Sequence, residues 1–129
     1  MRHGDNQRRL FLADKSALLR GVEDVAEKGE VCICAVTRLE MLYSARSPKE
    51  YAQLEEQLDT FRQLRMDAQT FDVAQSAQRE LAARSQHRVP VPNLLLGACA
   101  HQHAAGVLHI DRHYDVLAQV LTIDYVRLE

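Results

Sequence analysis

Asp14, Glu40 and Asp111 lie far apart in the chain, yet each falls where an apolar run gives way to a turn or a helix. Asp14 ends Leu10-Phe11-Leu12-Ala13, Glu40 follows the strand-like run Val31-Cys32-Ile33-Cys34-Ala35-Val36, and Asp111 closes Val107-Leu108-His109-Ile110. In an open parallel α/β sheet, residues remote in sequence meet at the carboxyl ends of the strands. Carboxylates gathered there repel one another unless a cation shares them. The pattern therefore points to a divalent-metal site. Mg²⁺ or Mn²⁺ takes hard oxygen ligands together with waters and a substrate phosphate. Such an ion lowers the pKa of a bound water for in-line attack on a phosphodiester.

Each acid also has a plainer structural role open to it. Asp14 stands where aspartate satisfies the exposed amides of a helix start. Thr37-Arg38-Leu39-Glu40 is itself a capping box, and Asn93, after Pro92, is a natural helix cap. Asp111, before Arg112, would serve a turn or a surface ion pair. The metal reading rests on their joint placement along one sheet edge. Lys15, Arg38, Arg46 and Arg112 lie near these acids in sequence and would give the pocket a basic rim of the kind RNA backbone contacts require.

The elements that must position these residues alternate. Arg9 to Asp14 reads as a buried strand, with Ser16 capping a helix that carries Leu18, Leu19, Val22, Val25 and Ala26 and stops at Gly29. Val31 to Val36 is a second strand, apolar on both faces as central parallel strands are, and a helix runs from about Thr37 to Ala45. Ser47-Pro48-Lys49-Glu50 is a capping box with proline at the first helical position. It opens a helix with Tyr51, Leu54, Leu58 and Phe61 on one face. Met66 to Phe71 reads as a short edge strand and Asp72 to about Ser85 as helix. Arg88 to Pro92 cannot be helix interior. Asn93 to Ala105 is a helix stopped by Gly106, followed by strand Val107 to Asp111, a short helix around Tyr114 to Val120, and a last strand Leu121 to Val126. The alternation predicts one three-layer α/β/α domain over residues 1–129, with a central parallel sheet of four to five strands and right-handed crossovers.

With 129 residues, 47% of them apolar and 26% charged, the chain can bury an ordinary core. No apolar run reaches the length of a membrane span, and the start lacks a signal-peptide core. Three cysteines, an odd number, suit reduced thiols in a cytoplasm. The net charge of -2 does not advertise nucleic-acid binding, which leaves such a role to local basic clusters. Leu128-Glu129 has the form of a cloning scar ahead of an affinity tag. Cys32, Cys34, Cys99, His101 and His103 admit a zinc reading, against which buried cysteine is ordinarily a core hydrophobe. A nucleotide hydrolase on the same edge lacks the expected GxxxxGKS or GxGxxG loop.

Four stretches resemble motifs of the PIN-domain ribonucleases, and most of all the VapC toxins of type II toxin–antitoxin systems: Ala13-Asp14-Lys15-Ser16-Ala17-Leu18, Thr37-Arg38-Leu39-Glu40-Met41-Leu42-Tyr43-Ser44-Ala45, Val91-Pro92-Asn93-Leu94-Leu95-Leu96-Gly97-Ala98-Cys99-Ala100 and His109-Ile110-Asp111-Arg112-His113-Tyr114-Asp115. The resemblance covers nearly the whole chain, with the motifs in order. It implies a Mg²⁺-dependent endoribonuclease, with Mn²⁺ able to substitute, that cuts structured RNA such as tRNA or rRNA. It also implies a homodimer held inactive by a VapB-type antitoxin. The catalytic and metal residues would be Asp14, Glu40, Asn93 and Asp111. Two departures stand out: Asn93 replaces an aspartate, and His113 stands where many members carry another acid. Asn93 is either natural or a substitution that disarms a toxic enzyme. The alternative is a non-catalytic protein on the same fold that binds antitoxin or RNA.

Overall fold

The computed structural model describes residues 8–110 and 112–129. Strands β1 (Leu10–Ala13), β2 (Glu30–Ile33), β3 (Arg62–Gln63), β4 (Gly106–His109) and β5 (Tyr125–Arg127) form a sheet in the order β3-β2-β1-β4-β5. Each adjacent pair among these is parallel. Helices α1 (Lys15–Arg20), α2 (Glu23–Ala26), α3 (Ala35–Tyr43), α4 (Pro48–Leu58), α5 (Ala68–Ala83), α6 (Val91–Gln102) and α7 (His113–Leu117) cover it.

Side chains of a strand alternate between sheet faces, and here both faces are buried. Leu12, Cys32 and Val107 pack with Ala74, Leu81, Leu94, Leu96 and Leu117 of α5, α6 and α7. Their neighbours Phe11, Ala13, Val31 and Leu108 pack with Ala17 of α1, Val25 of α2 and Val22 just ahead of α2. Ile33 meets Leu42 of α3 and Leu58 of α4. This is the expected three-layer α/β/α domain, with five parallel strands among the described residues. Leu128 is buried with the second of these clusters, and its amide donates to the His109 carbonyl at 2.7 Å. Whatever its form in sequence, this residue extends the fold.

The boundaries differ from expectation where local chemistry intervenes. The stretch Met66 to Phe71 is not a strand. Asp67 caps α5 in a reciprocal box with Thr70, so helix begins at Ala68, and the edge strand is Arg62–Gln63. The first helix is two, divided at Gly21, whose φ of 102° lies where side chains are strained. Gly29 does not stop a helix; a Cβ there would sit 2.4 Å from the Arg9 carbonyl, so glycine permits the approach of β1. Strand β2 ends at Ile33, and Ala35 and Val36 already belong to α3. The last strand starts at Tyr125 rather than Leu121.

Candidate active site

Asp14 directly follows β1, and its amide donates to the Leu108 carbonyl of β4 at 3.1 Å. It is the N-cap of α1: its Oδ1 accepts from the Ala17 amide at 2.9 Å and from the Ser16 hydroxyl at 2.7 Å. Ser16, expected to cap the helix, instead joins two elements. Its Oγ also accepts from the Ile110 amide at 3.3 Å, across 94 residues of sequence. Asp14 is 7% exposed, which leaves its carboxylate at the floor of a cleft rather than in open solvent.

That cleft, of about 210 Å³, is lined by Asp14, Lys15, Ser16, Leu19, Glu40, Pro92, Asn93, Leu96 and Tyr114. Three of the four expected site residues thus meet, from α1, α3 and α6. Asp111 lies outside the described residues; its neighbour Ile110 is bonded to Ser16, and Tyr114, three residues on, lines the cleft. Glu40 is half-buried on α3, and burial pushes its carboxyl above the usual range. Lys15 opposes that shift and the Asp14 charge adds to it. A carboxylate desolvated beside another acid favours a bound cation.

The capping alternatives fare unevenly. For Asp14 the structural and functional roles coincide in one side chain. Glu40 is not the far end of a capping box at Thr37, because α3 starts earlier, at Ala35, with Cys34 as its N-cap. Asn93 is not a helix cap either: Pro90 holds that position, and Asn93 is the third residue of α6. Proline is tolerated in a first turn, which is why Val91 and Pro92 are helical.

Of the four basic residues, Lys15 lines the cleft. Arg38 turns to Asp59 at 2.7 Å. Arg46 lines a separate shallow depression with Pro48 and Tyr51, and Arg112 is exposed ahead of α7. The basic rim is therefore narrower than the sequence suggests. Leu19, Leu96 and Tyr114 were not singled out by the sequence as cleft residues. Tyr114 is buried against His109 with ring centroids 4.6 Å apart, and only its spacing from Asp111 could have drawn notice.

Two carboxylates and an amide side chain line one cleft and offer hard oxygen donors of the kind that would suit Mg²⁺ or Mn²⁺. Among the described residues no group of three or more His, Cys, Asp or Glu is placed to hold a metal ion. Cys32, Cys34, Cys99, His101 and His103 are all described and are not gathered into such a group. The cysteines are buried core residues, and the His103 ring sits against the Arg65 carbonyl at 2.7 Å. Burial pushes the Cys32 thiol up to about 11, far from reactive.

A parallel α/β/α sheet with acids converging beyond its carboxyl edge defines a class, and the comparisons agree: residues 10–120 match the PIN domain. Ribonuclease VapC51 of Mycobacterium tuberculosis is 39% identical over 106 residues, covering 82% of this chain and 77% of that one. Ribonuclease VapC17 of the same organism is 37% identical over 117 residues, covering 85% and 88%. The chain therefore belongs to the PIN-domain family, on its VapC branch. Solved structures share the fold at lower identity. A chain of the toxin–antitoxin complex VapBC-5 from M. tuberculosis superposes with a TM-score of 0.73 at 19% identity, over 93% of this chain and 99% of that chain. One from DNA-bound VapBC of Salmonella typhimurium gives 0.71 at 19%, over 94% and 97%.

Proposed function

We propose that this chain is the ribonuclease toxin of a VapBC-type pair, a Mg²⁺-dependent endoribonuclease that cuts structured RNA such as tRNA or rRNA. The observation that carries the reading is the meeting of Asp14, Glu40, Asn93 and Lys15 in one cleft. Asp14 and Glu40, with Asp111 next in sequence to Ile110, would hold the ion, and Asn93 would offer a neutral oxygen at the remaining position. A bound Mg²⁺ supplies charge neutralisation at the scissile phosphate and a more acidic water. Lys15 places a fixed positive charge beside the acids and draws the RNA phosphate into the cleft. Glu40, held above its usual pKa, is suited to orient the attacking water and accept its proton at a carboxylate oxygen. Leu19, Pro92 and Leu96 give the cleft an apolar wall beside the acids.

The inhibitory partner is a VapB-type antitoxin. A second groove of about 360 Å³, lined by Leu18, Val22, Met41, Leu54, Leu58 and Phe61, would take the apolar face of an amphipathic helix. Of the α4 face read from the sequence, Leu58 is buried, Leu54 and Phe61 are half-buried, and Tyr51 is exposed. The working toxin is a homodimer in the cytoplasm.

The test is cleavage of total tRNA and rRNA by purified protein with Mg²⁺, with Mn²⁺ and with EDTA. Cleavage that EDTA abolishes, and that Asp14→Asn and Glu40→Gln each reduce at least a hundredfold, is the expected result, each removing an interaction worth about 3 kcal/mol. The second reading, a non-catalytic binder of antitoxin or RNA, is favoured by the missing charge at Asn93. It would be supported by RNA that stays intact under every condition with wild type and with Asn93→Asp alike.

A further inference from the structure

We propose that Thr37 is a positioning residue: its hydroxyl fixes the separation of the Asp14 and Glu40 carboxylates, and so sets the affinity of the cleft for a divalent cation. The proposal rests on the metal reading above.

The geometry comes from the place where two strands part. Strands β1 and β2 pair in parallel through Leu10↔Glu30, Phe11↔Val31 and Leu12↔Cys32. The Arg9 carbonyl accepts from the Glu30 amide at 2.8 Å. By the two-residue alternation of a strand, the carbonyl of Ala13 faces the same side. There β2 has already left the sheet, since Ile33 is its last residue and α3 begins at Ala35. The Thr37 hydroxyl takes the place of the missing ladder donor and gives its hydrogen to the Ala13 carbonyl at 2.8 Å.

Thr37 is 0% exposed, so no water replaces that bond. Its acceptor belongs to the residue just before Asp14. Thr37 and Glu40 are three apart on α3, hence on one helix face. The path from one carboxylate to the other runs through Ala13, a single hydrogen bond and one helical turn. On the opposite side of β1, Ser16 pins Asp14 towards β4. Without the Thr37 bond, α3 can slide along β1 and carry Glu40 with it.

Valine is close to threonine in size but leaves the Ala13 carbonyl buried and unsatisfied; serine keeps the hydroxyl. The experiment is calorimetric titration of dialysed protein with Mg²⁺ alone, without RNA, for wild type, Thr37→Val, Thr37→Ser, Glu40→Gln and Thr37→Val/Glu40→Gln. We expect Thr37→Val to weaken Mg²⁺ binding about tenfold, the low end of the loss seen when even a direct partner of a metal ligand is removed. Thr37→Ser should keep wild-type affinity. In the Glu40→Gln background Thr37→Val should cause no further loss, because its effect passes through Glu40. A merely structural threonine would act equally in both backgrounds. Wild-type affinity in Thr37→Val, additive losses with Glu40→Gln, or a loss in Thr37→Ser would each overturn the proposal. If Thr37→Val does not fold, Thr37→Ala takes its place in the cycle with the same expectations. Wild-type protein that binds no Mg²⁺ would refute the metal reading itself, and this proposal with it. Normal wild-type binding with an unaltered Thr37→Val refutes only the role of Thr37.

Discussion

Asn93 is the residue at which the chemistry of the cleft is most open to change. It lines the same cavity as two carboxylates and stands in the first turn of α6. Aspartate there would add a charge next to the ion and also face the positive end of a helix dipole. At about 5 Å and an effective dielectric near 20, one charge pair is worth on the order of 3 kcal/mol. Asn93→Asp should therefore tighten Mg²⁺ binding by up to about a hundredfold and raise RNA cleavage. In metal-free protein the added carboxylate repels Asp14 and Glu40, and Mg²⁺ should reverse that loss. Calorimetry beside a tRNA cleavage assay checks both. Equal affinity and equal cleavage would remove position 93 from the chemistry. The sequence placed Asp14 and Glu40 along one sheet edge because each follows an apolar run, whereas Asn93 joined them as a helix start after Pro92 and through the resemblance to the family motifs. It could not show that Ser16 and Thr37 point outward to other strands, since a hydroxyl near a helix start reads as a cap.

At the scale of elements, α5 offers a clean test of capping. The Gln102 amide, from α6, donates to Asp67 Oδ1 at 2.9 Å, and that bond, more than the Thr70 and Gln69 amides, holds the Asp67 carboxyl below its ordinary value. A depressed carboxyl contributes stability that is present above its unfolded pKa and lost as pH falls through its folded pKa. Asp67→Ala should lower the urea midpoint at pH 7, and the gap from wild type should close as the pH drops below 3.8, the ordinary value of the group. A gap that persists unchanged into acid would mean that the ionised cap contributes nothing. The order of strands and helices was legible from apolar runs and helical spacing, although neither Gly29 nor Gly106 ends a helix. The capping box Asp67–Thr70 was not recognised, and the apolar Met66 and Phe71 around it made a helix start look like a strand. Propensity likewise missed Gly21, where the backbone φ, rather than any side chain, separates α1 from α2.

The whole molecule should respond to the ion that its cleft is suited to hold. A ligand that binds only the native state stabilises by RT ln(1 + [L]/Kd), about 2.7 kcal/mol at a hundredfold excess over Kd. For a domain of this size that corresponds to a rise in Tm of roughly 10 °C. Differential scanning calorimetry with and without Mg²⁺ should show it, and Asp14→Asn should abolish most of it while keeping the α1 cap, which asparagine also makes. A wild-type Tm indifferent to Mg²⁺ would count against the donor set described here.

The parallel sheet also dictates when the cleft can exist. Strand β1 lies between β2 and β4, and its pairing with β4 joins Phe11 to Gly106, Leu12 to Val107 and Ala13 to Leu108. The anchors of Asp14 on that side, the Leu108 carbonyl and the Ser16–Ile110 bond, come from the far end of the same strand pair. A chain still being synthesised, with β4 not yet made, has only the β2 side of β1 in place, and domains of such non-local contacts assemble late. A nascent chain thus cannot assemble the cleft until synthesis has passed Ile110.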